Sequence, residues 1–516
     1  MPRRTDVKSF ASGGAVFVWL ERLCDTCIIL ALCACAHNRI YLIAPAFILW
    51  RFVYEISMQA VTFSTSSVIS CFTRHKDTKS VMRVHYIMTV LCILWGIIIG
   101  AAWTIAAPYL SKLILGSQAA ADDVSGMRNL LFCLCPLWAL NFACGAYRGC
   151  EIGMRKQNQA LRSVFNEQAG RAIGVIILSV LCYFFFHTGK KAMLYLAVLM
   201  ASIAAAWQLR KYLDSSNGLH QIRGKGTAEL EKRLSDAFLP YFGTVISENL
   251  WMAVDIAAMA VFNVLGKYSY ARYTDLLGII MVEGIALLQI PLLVSFNVTA
   301  GTLPAVEEDY KYHRLDRMER RIDADLSRVL VLIMPIAAFT AFHGNAVWRV
   351  LFHETGAYDA YFTALGIEAA VYCFSFETTY ILAGMHQEKA ARFYQLFGLI
   401  IKAALLYPMY HQWGMISIPL SGIITFASIS FLDLSKIRNK TDISYMKLGI
   451  TFIRTCLACI AMHGAAAALS YFADIKATDS SYGTALWQFI VMCVCGGAVY
   501  YMAGSILRLF PKRRKR

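Results

Sequence analysis

Fourteen apolar windows of about twenty residues follow one another along the 516-residue chain. A helix of that length crosses the hydrocarbon core of a bilayer, which is about 30 Å thick. With 58% hydrophobic and only 16% charged residues, the chain is typical of a polytopic membrane protein rather than a soluble enzyme. The windows predict spans at residues 14–35, 41–71, 84–107, 129–147, 172–187, 192–209, 240–265, 276–303, 329–348, 360–383, 393–410, 413–434, 449–472 and 484–507.

The distribution of Lys and Arg tests this map. When residues 148–171 are counted as a loop, 36 of the 49 Lys and Arg residues fall on one side, nine fall on the other and four lie within spans. Cytoplasmic loops are the ones enriched in Lys and Arg. The chain is therefore predicted to be a multi-pass membrane protein with both termini cytoplasmic and an even number of spans. Because topology explains the net charge of +16, no nucleic-acid partner is expected.

The first two spans carry charges that a lipid-facing helix could not tolerate. These charged residues are Glu21, Arg22, Asp25, Arg51 and Glu55. Glu21 and Asp25 are four residues apart, as are Arg51 and Glu55, so each pair shares one helix face. A charge at mid-bilayer costs from about 2.5 kcal/mol upward, so these side chains are predicted to face a bundle interior or a watery cavity. The alternative is a set of buried ion pairs that only lock two helices together.

A weak internal repeat divides the chain. Gly153-Met154 follows the fourth span and Gly384-Met385 follows the tenth, an offset of 231 residues, and a similar offset relates Asp25 to Asp255. The repeat predicts an all-α fold of two six-helix bundles, related by a pseudo-two-fold axis along the membrane normal, plus two C-terminal helices. The predicted divisions are a first bundle at 1–215, a cytoplasmic linker at 216–239, a second bundle at 240–440, and two further helices with a basic tail at 441–516.

The charged segment 306–328 has two interpretations. Leu315, Met318, Ile322 and Leu326 recur at helical spacing, which is typical of an amphipathic helix lying on the membrane surface. The same segment can also be a solvated connector that continues into the next span.

Cofactor sites are not indicated. Cys24-Asp-Thr-Cys27 and Cys456-Leu-Ala-Cys459 have the spacing of a redox or metal motif, but no second ligand pair accompanies them. We therefore expect packing cysteines and no metal. The sequence shows no nucleophile–base set and no phosphate-binding loop, so an enzyme coupled to ATP hydrolysis is not expected.

Several short motifs resemble the multidrug/oligosaccharidyl-lipid/polysaccharide (MOP) exporter superfamily, and most closely its MurJ-type lipid II flippases and their spore-coat and polysaccharide-exporter relatives. The motifs are Arg51-Phe-Val-Tyr-Glu55, Cys135-Pro136, Leu288-Gln-Ile-Pro291, Gly301-Thr-Leu-Pro304 and Leu351-Phe-His-Glu-Thr-Gly356-Ala-Tyr-Asp359. The resemblance covers essentially the whole chain, and fourteen spans favour the flippase and polysaccharide branches over the drug antiporters.

The resemblance implies a cationic cavity in the N-terminal half that holds a polyprenyl-diphosphate-linked precursor. Arg51 and Glu55 match the family's pair in span two, whereas the family's arginines in span one fall at Val18 and Cys24. For span eight, an alignment on the proline motif puts apolar residues at the charged positions, while Arg272-Tyr-Thr-Asp275 keeps their type and spacing further upstream.

The implied function is a flippase that moves a lipid-linked oligosaccharide, lipid II first among them, to the outer leaflet by alternating access. Its substrate-binding candidates are Arg22, Asp25, Arg51, Glu55 and Arg272. The resemblance also implies a location in the bacterial cytoplasmic (inner) membrane. The protein is expected to act there as a monomer among membrane lipids, without a cofactor. The membrane potential could supply the energy, because an inside-negative potential drives the doubly charged diphosphate outward. Arginine suits the diphosphate because a guanidinium donates two hydrogen bonds at once.

Other couplings and functions stay open. Asp255, Glu283 and Glu377 could bind Na⁺ or H⁺ and reset the empty carrier, whereas Lys402 is expected to snorkel to the interface. The alternatives are an exporter of O-antigen or capsule precursors and a cation-coupled multidrug antiporter. A non-transporting scaffold is a more distant alternative.

Overall fold

The computed structural model describes residues 17, 20–21, 23–33, 37–74, 78–154, 156–181, 191–215, 227–352, 358–441, 443, 445–472 and 482–510. Across these ranges every regular element is a helix. This follows from the apolar composition, because a backbone in lipid must satisfy its own hydrogen bonds and a helix does so within one segment.

Helices stand at all fourteen predicted spans. In chain order they are α1 (Leu23–Cys33), α2 (44–74), α3 (Thr78–Leu115), α4 (Ala121–Gly153), α5 (Gln157–Leu181), α6 (Lys191–Ser215), α7 (Thr227–Val264), α8 (270–311), α9 (Leu315–Phe352), α10 (Asp359–Gly384), α11 (Glu388–Trp413), α12 (Ser417–Arg438), α13 (Tyr445–Phe472) and α14 (Tyr482–Ile506). In the described ranges, nine helical stretches are long and apolar enough to cross a membrane. The predicted all-α polytopic membrane protein with about fourteen spans is confirmed.

The chain packs as two compact units, Met1–Ala286 (unit 1) and Leu287–Arg516 (unit 2). In unit 1, α7 packs against α2 and α3. The predicted bundle boundaries, with a linker at 216–239, come from the sequence repeat and stay a prediction.

The two copies of the repeat end their helices in the same way. Gly153 closes α4 and Gly384 closes α10, and the residues that follow have nearly equal backbone angles: φ −82° and ψ 9° at Met154, φ −87° and ψ 14° at Met385. The Gly-Met pair in the sequence is therefore the signature of a shared helix end.

A stripe of three glycines brings α4 close to α2. A Cβ atom at Gly145, Gly149 or Gly153 would collide with α2, at backbone oxygens or at side-chain carbons. The close approach allows hydrogen bonds between the helices: Ser57 Oγ donates to the Asn141 carbonyl at 2.5 Å. Small residues at four-residue spacing are the usual means of close helix packing in membranes. This contact holds α2 and α4 against each other at the level where both carry charged side chains.

The segment 306–328 is a connector that runs into the following span. α9 runs from Leu315 to Phe352 with a kink at His343, beyond this segment, and Met318, Ile322 and Leu326 are fully buried against α10 and α12 within unit 2. The apolar face of the segment therefore packs on protein, and the amphipathic surface helix is not formed.

Candidate functional site

The Arg51 and Glu55 pair lies inside unit 1. Both side chains are buried, with Arg51 only 7% exposed, and the helix passes into a π-helical turn at Ile56–Val61 directly after them. Glu55 accepts a hydrogen bond from Gln59 Nε2 at 2.8 Å. Among the described residues, no group hydrogen-bonds Nε of Arg51. The buried Arg51 thus has one N–H donor, at Nε, that is not used by the described residues.

The neighbouring face of α2 contacts an acidic residue of the first predicted span. Tyr54 donates its hydroxyl to Glu21 Oε1 at 2.7 Å, which joins the two helices of the first hairpin. Glu21 and Asp25 are both buried, as the sequence predicted for this hairpin. Arg22, the third charged residue predicted in the first span, lies outside the described residues.

A second arginine reaches the same face of α2 from α5. The guanidinium carbon of Arg171 lies 3.5 Å from the ring centre of Trp50, a cation–π contact, and Arg171 interacts electrostatically with Asp25 of α1. Nε and Nη1 of Arg171 have no hydrogen-bond partner in the described part of the chain. Three helices therefore meet around Trp50.

A buried ion pair extends these contacts to α4 and α6. Arg148, which is 1% exposed, pairs with Glu167 of α5 and donates from Nε to Ser163 Oγ at 3.1 Å. Tyr212 of α6 donates to the same Ser163 oxygen at 2.6 Å. The Arg148 guanidinium also lies 3.4 Å from the sulfur of Met58, within the π-helical turn of α2.

We call these buried residues the unit 1 charge cluster; its charged members are Glu21, Asp25, Arg51, Glu55, Arg148, Glu167 and Arg171. The described cluster holds three arginines and four carboxylates. Its carboxylates are engaged by Tyr54, Gln59, Arg148 and Arg171, whereas two of its arginines keep unused donors. The unsatisfied hydrogen-bonding capacity in the cluster is therefore mainly cationic.

Sequence reasoning missed Arg148, Glu167 and Arg171. The segment 148–171, which the charge count treats as a loop, is mostly helical: α4 runs to Gly153 and α5 begins at Gln157, so these charges lie inside helices. They tolerate burial because they neutralise one another. The four-residue spacing of Glu167 and Arg171 is the sequence signal that could have identified them.

The remaining predicted residues lie elsewhere in the two units. Asp255 of α7 and Glu283, in a second π-helical turn within α8, are buried in unit 1, and Glu377 is buried in unit 2. Arg272 forms an ion pair with Asp275 at 3.0 Å, with both side chains about half exposed (48% and 49%). Arg272 is therefore not part of the buried cluster.

Unit 2 buries its own polar groups. Oδ2 of Asp433 accepts hydrogen bonds from Thr378 at 3.0 Å and Thr379 at 2.8 Å, next to Glu377 on α10. Lys402 of α11 is 0% exposed, so the expectation that it snorkels to the interface is wrong. Lys402 occupies the repeat position of Arg171, and both copies thus bury a cation on their fifth helix.

Solved structures share this architecture. The chain matches the lipid II flippase MurJ in its inward closed conformation with a TM-score of 0.69 and 12% identity, covering 96% of this chain and 98% of that one. The chain has the fold of the MOP superfamily. Other structures with the MOP fold also match: an inward-facing multidrug resistance MATE transporter (TM-score 0.62, 14% identity, 82% and 95% of the chains) and a MOP transporter from Pyrococcus furiosus with a binding pocket of reverse polarity (TM-score 0.59, 13% identity, 86% and 96%). No protein-family model and no curated protein matches the sequence.

Proposed function

We propose that the chain is a flippase that moves a polyprenyl-diphosphate-linked cell-wall precursor, with lipid II as the first candidate, from the cytoplasmic to the outer leaflet. The observation that carries this function is the pair of buried arginines with unused donors, Arg51 and Arg171. The whole-chain similarity to the lipid II flippase MurJ supports it.

The chemistry of the substrate fits these donors. A diphosphate presents several anionic oxygens, and a guanidinium donates two hydrogen bonds at once to such oxygens in a fixed geometry. A buried donor without a partner costs about 1–3 kcal/mol, and an incoming phosphate oxygen removes that cost. Arg51 and Arg171 are therefore the groups that we assign to the diphosphate.

The carboxylates of the cluster have a different role in this mechanism. Asp25 interacts with Arg171, and Glu55 lies one helical turn from Arg51, so each arginine has an anion near it when the substrate is absent. Competition between carboxylate and diphosphate keeps the binding reversible, which release on the other side of the membrane requires. Arg148, paired with Glu167, positions the cluster and does not compete for substrate.

The membrane potential is the energy source that needs the fewest additional groups. An inside-negative potential of 100 mV favours outward movement of one negative charge by about 2.3 kcal/mol, and a diphosphate headgroup carries two. Binding of Na⁺ or H⁺ at Asp255, Glu283 or Glu377 would be a separate means of returning the empty carrier, and substitution of each carboxylate by its amide tests it.

A cation-coupled multidrug antiporter is the second candidate. It is favoured by the number of buried carboxylates, because Asp255 and Glu283 add two acidic groups to unit 1 beyond the charge cluster. It is also favoured by the similarity to the multidrug resistance MATE transporter. Such a carrier would bind a cationic drug at carboxylates and would not need Arg51.

Reconstitution distinguishes the two candidates. The purified chain in proteoliposomes should move fluorescent lipid II between leaflets, measured by its accessibility to a membrane-impermeant quencher. Arg51→Ala should abolish this movement, Arg51→Lys should retain part of it, and Lys112→Gln, at the exposed end of α3, should equal the wild type. Full activity of Arg51→Ala would reject the diphosphate role. Accumulation of ethidium driven by a Na⁺ or H⁺ gradient, without lipid II movement, would favour the antiporter.

A further inference from the structure

A cavity of about 650 Å³ opens in unit 1 beside the junction of α4 and α5. Residues of α3, α4, α5 and α6 line it, so it lies within one unit and is distinct from the arginines assigned to the diphosphate. Its volume is in the range of sites that bind small molecules. The Lys and Arg distribution predicts that this junction faces the cytoplasm.

The rim of the cavity is cationic. Lys156 precedes the first turn of α5, Arg162 lies on that helix, and Lys211 comes from α6. The Lys211 ammonium lies 3.5 Å from the ring centre of Trp207, a contact that fixes its position. Among the described residues of the lining, Glu151 is the one carboxylate, and it already accepts a hydrogen bond from Tyr212 at 3.2 Å. Three cations against one engaged carboxylate favour an anionic ligand.

Two deeply buried polar side chains in the wall lack partners. His85 and Gln208 are each 4% exposed, and within the described chain no group hydrogen-bonds His85 Nδ1 or Gln208 Oε1. Burying a polar atom without a hydrogen-bond partner costs free energy. These two atoms therefore indicate a bound partner in the cavity, either a water molecule or a ligand that carries hydroxyl groups. Neither atom contributes to the ion pairs of the charge cluster.

The wall between these polar atoms is aromatic. The rings of Tyr147 and Tyr212 stack with centres 4.9 Å apart, and the His85 ring meets Tyr147 edge-on at 4.4 Å. Aromatic rings of this kind present apolar surface to the carbon skeleton of a ligand while their polar ends bind hydrogen-bonding groups.

We propose that this cavity binds a phosphorylated polyol, with the phosphate at Lys156, Arg162 and Lys211 and the hydroxyl groups at His85 and Gln208. The polyol phosphate can come from the headgroup of an anionic phospholipid or from a soluble metabolite such as a sugar phosphate. Basic pockets between helices at the cytoplasmic side of a membrane are suited to such headgroups. The inference does not depend on the transported substrate.

Calorimetric titration of the purified full chain in detergent tests the site. The probes are glycerol 1-phosphate, dihexanoyl phosphatidylglycerol and, as a zwitterionic control with the same acyl chains, dihexanoyl phosphatidylcholine. Binding of both anionic probes assigns the site to the phosphate and polyol alone, and binding of phosphatidylglycerol only assigns it to a lipid headgroup. Binding of neither, or equal binding of phosphatidylcholine, overturns the inference.

Variants locate the binding. Lys156→Gln combined with Arg162→Gln changes two exposed side chains, and it should weaken binding of the anionic probes by about tenfold or more. Lys112→Gln is the matched control, since it removes an exposed charge about 40 Å along α3 from His85. Gln208→Leu should weaken the binding of glycerol 1-phosphate. With inorganic phosphate as an additional probe, which lacks the polyol, the same variant should bind as the wild type does. Wild-type affinity in the double variant would overturn the assignment.

Discussion

The guanidinium of Arg171 lies over the ring of Trp50, 3.5 Å from its centre, and this contact joins α5 to the charged hairpin of α1 and α2. Neither residue was predicted to belong to the site from the sequence. The contact holds one arginine beside Asp25 without consuming all its hydrogen-bond donors, since Nε and Nη1 have no partner in the described residues.

Replacing the aromatic ring at Trp50 should therefore impair transport to an extent that the loss of thermal stability does not explain. Trp50→Phe keeps an aromatic face, whereas Trp50→Leu removes the cation–π contact, worth about 0.5–2 kcal/mol. We expect lipid II movement in proteoliposomes to fall in the order wild type, Trp50→Phe, Trp50→Leu, while both variants lower the thermal unfolding temperature to a similar extent. Equal transport by the two variants would show that the ring only packs.

The buried pair Arg148–Glu167 should be far more sensitive to single substitutions than an exposed pair. Glu167→Gln leaves the buried Arg148 charge uncompensated, which costs about 3–5 kcal/mol. Arg272→Ala breaks the half-exposed pair with Asp275 and should cost about 0–1 kcal/mol. The free energy of unfolding, measured by denaturation in mixed micelles, checks both values.

A double substitution provides the internal control for this ion pair. Arg148→Met combined with Glu167→Leu removes both charges and should recover much of the loss, because an apolar pair carries no desolvation cost. A double variant as unstable as Glu167→Gln would mean that the neighbouring bonds to Ser163 matter more than the pair itself.

The spans and the burial of the first hairpin could be predicted because both follow from the cost of exposing polar groups to lipid. Apolar windows require helices, and Glu21, Asp25 and Arg51 require an interior. Each of these constraints depends only on residues within one span, so the spans and the burial can be predicted from the sequence alone.

Contacts between distant segments could not be predicted in the same way. Arg148 directly follows the predicted fourth span and Arg171 directly precedes the fifth, so a count of charges assigns both to the loop between these spans. Only the partners on other helices, Glu167 for Arg148 and Trp50 for Arg171, allow the spans to extend over them. Lys402 was misjudged for the same reason, since a long lysine side chain can either snorkel to the interface or be buried.

The N-terminal part of α9 supplies a matched pair of positions for a stability test. Ile322 is fully buried in the core of unit 2, whereas Leu315 on the same helix is 43% exposed. Ile322→Ala should lower the free energy of unfolding by about 2–5 kcal/mol, and Leu315→Ala should leave it nearly unchanged. Comparable small losses at both positions would instead indicate a helix lying on the membrane surface.

The glycine stripe of α4 should be intolerant of any side chain. At Gly149 a Cβ atom would meet the Thr62 carbonyl oxygen and the Thr65 side chain, so Gly149→Val must push α4 away from α2. Overpacking of this kind costs about 1–3 kcal/mol, and the separation also displaces Arg148 from the cluster. We expect a lower unfolding temperature and loss of lipid II movement, both measured on the reconstituted chain.

Gly449→Val is the control, because a Cβ atom there meets nothing within 4 Å. Equal behaviour of the two variants would mean that α2 and α4 do not pack as closely as the stripe requires.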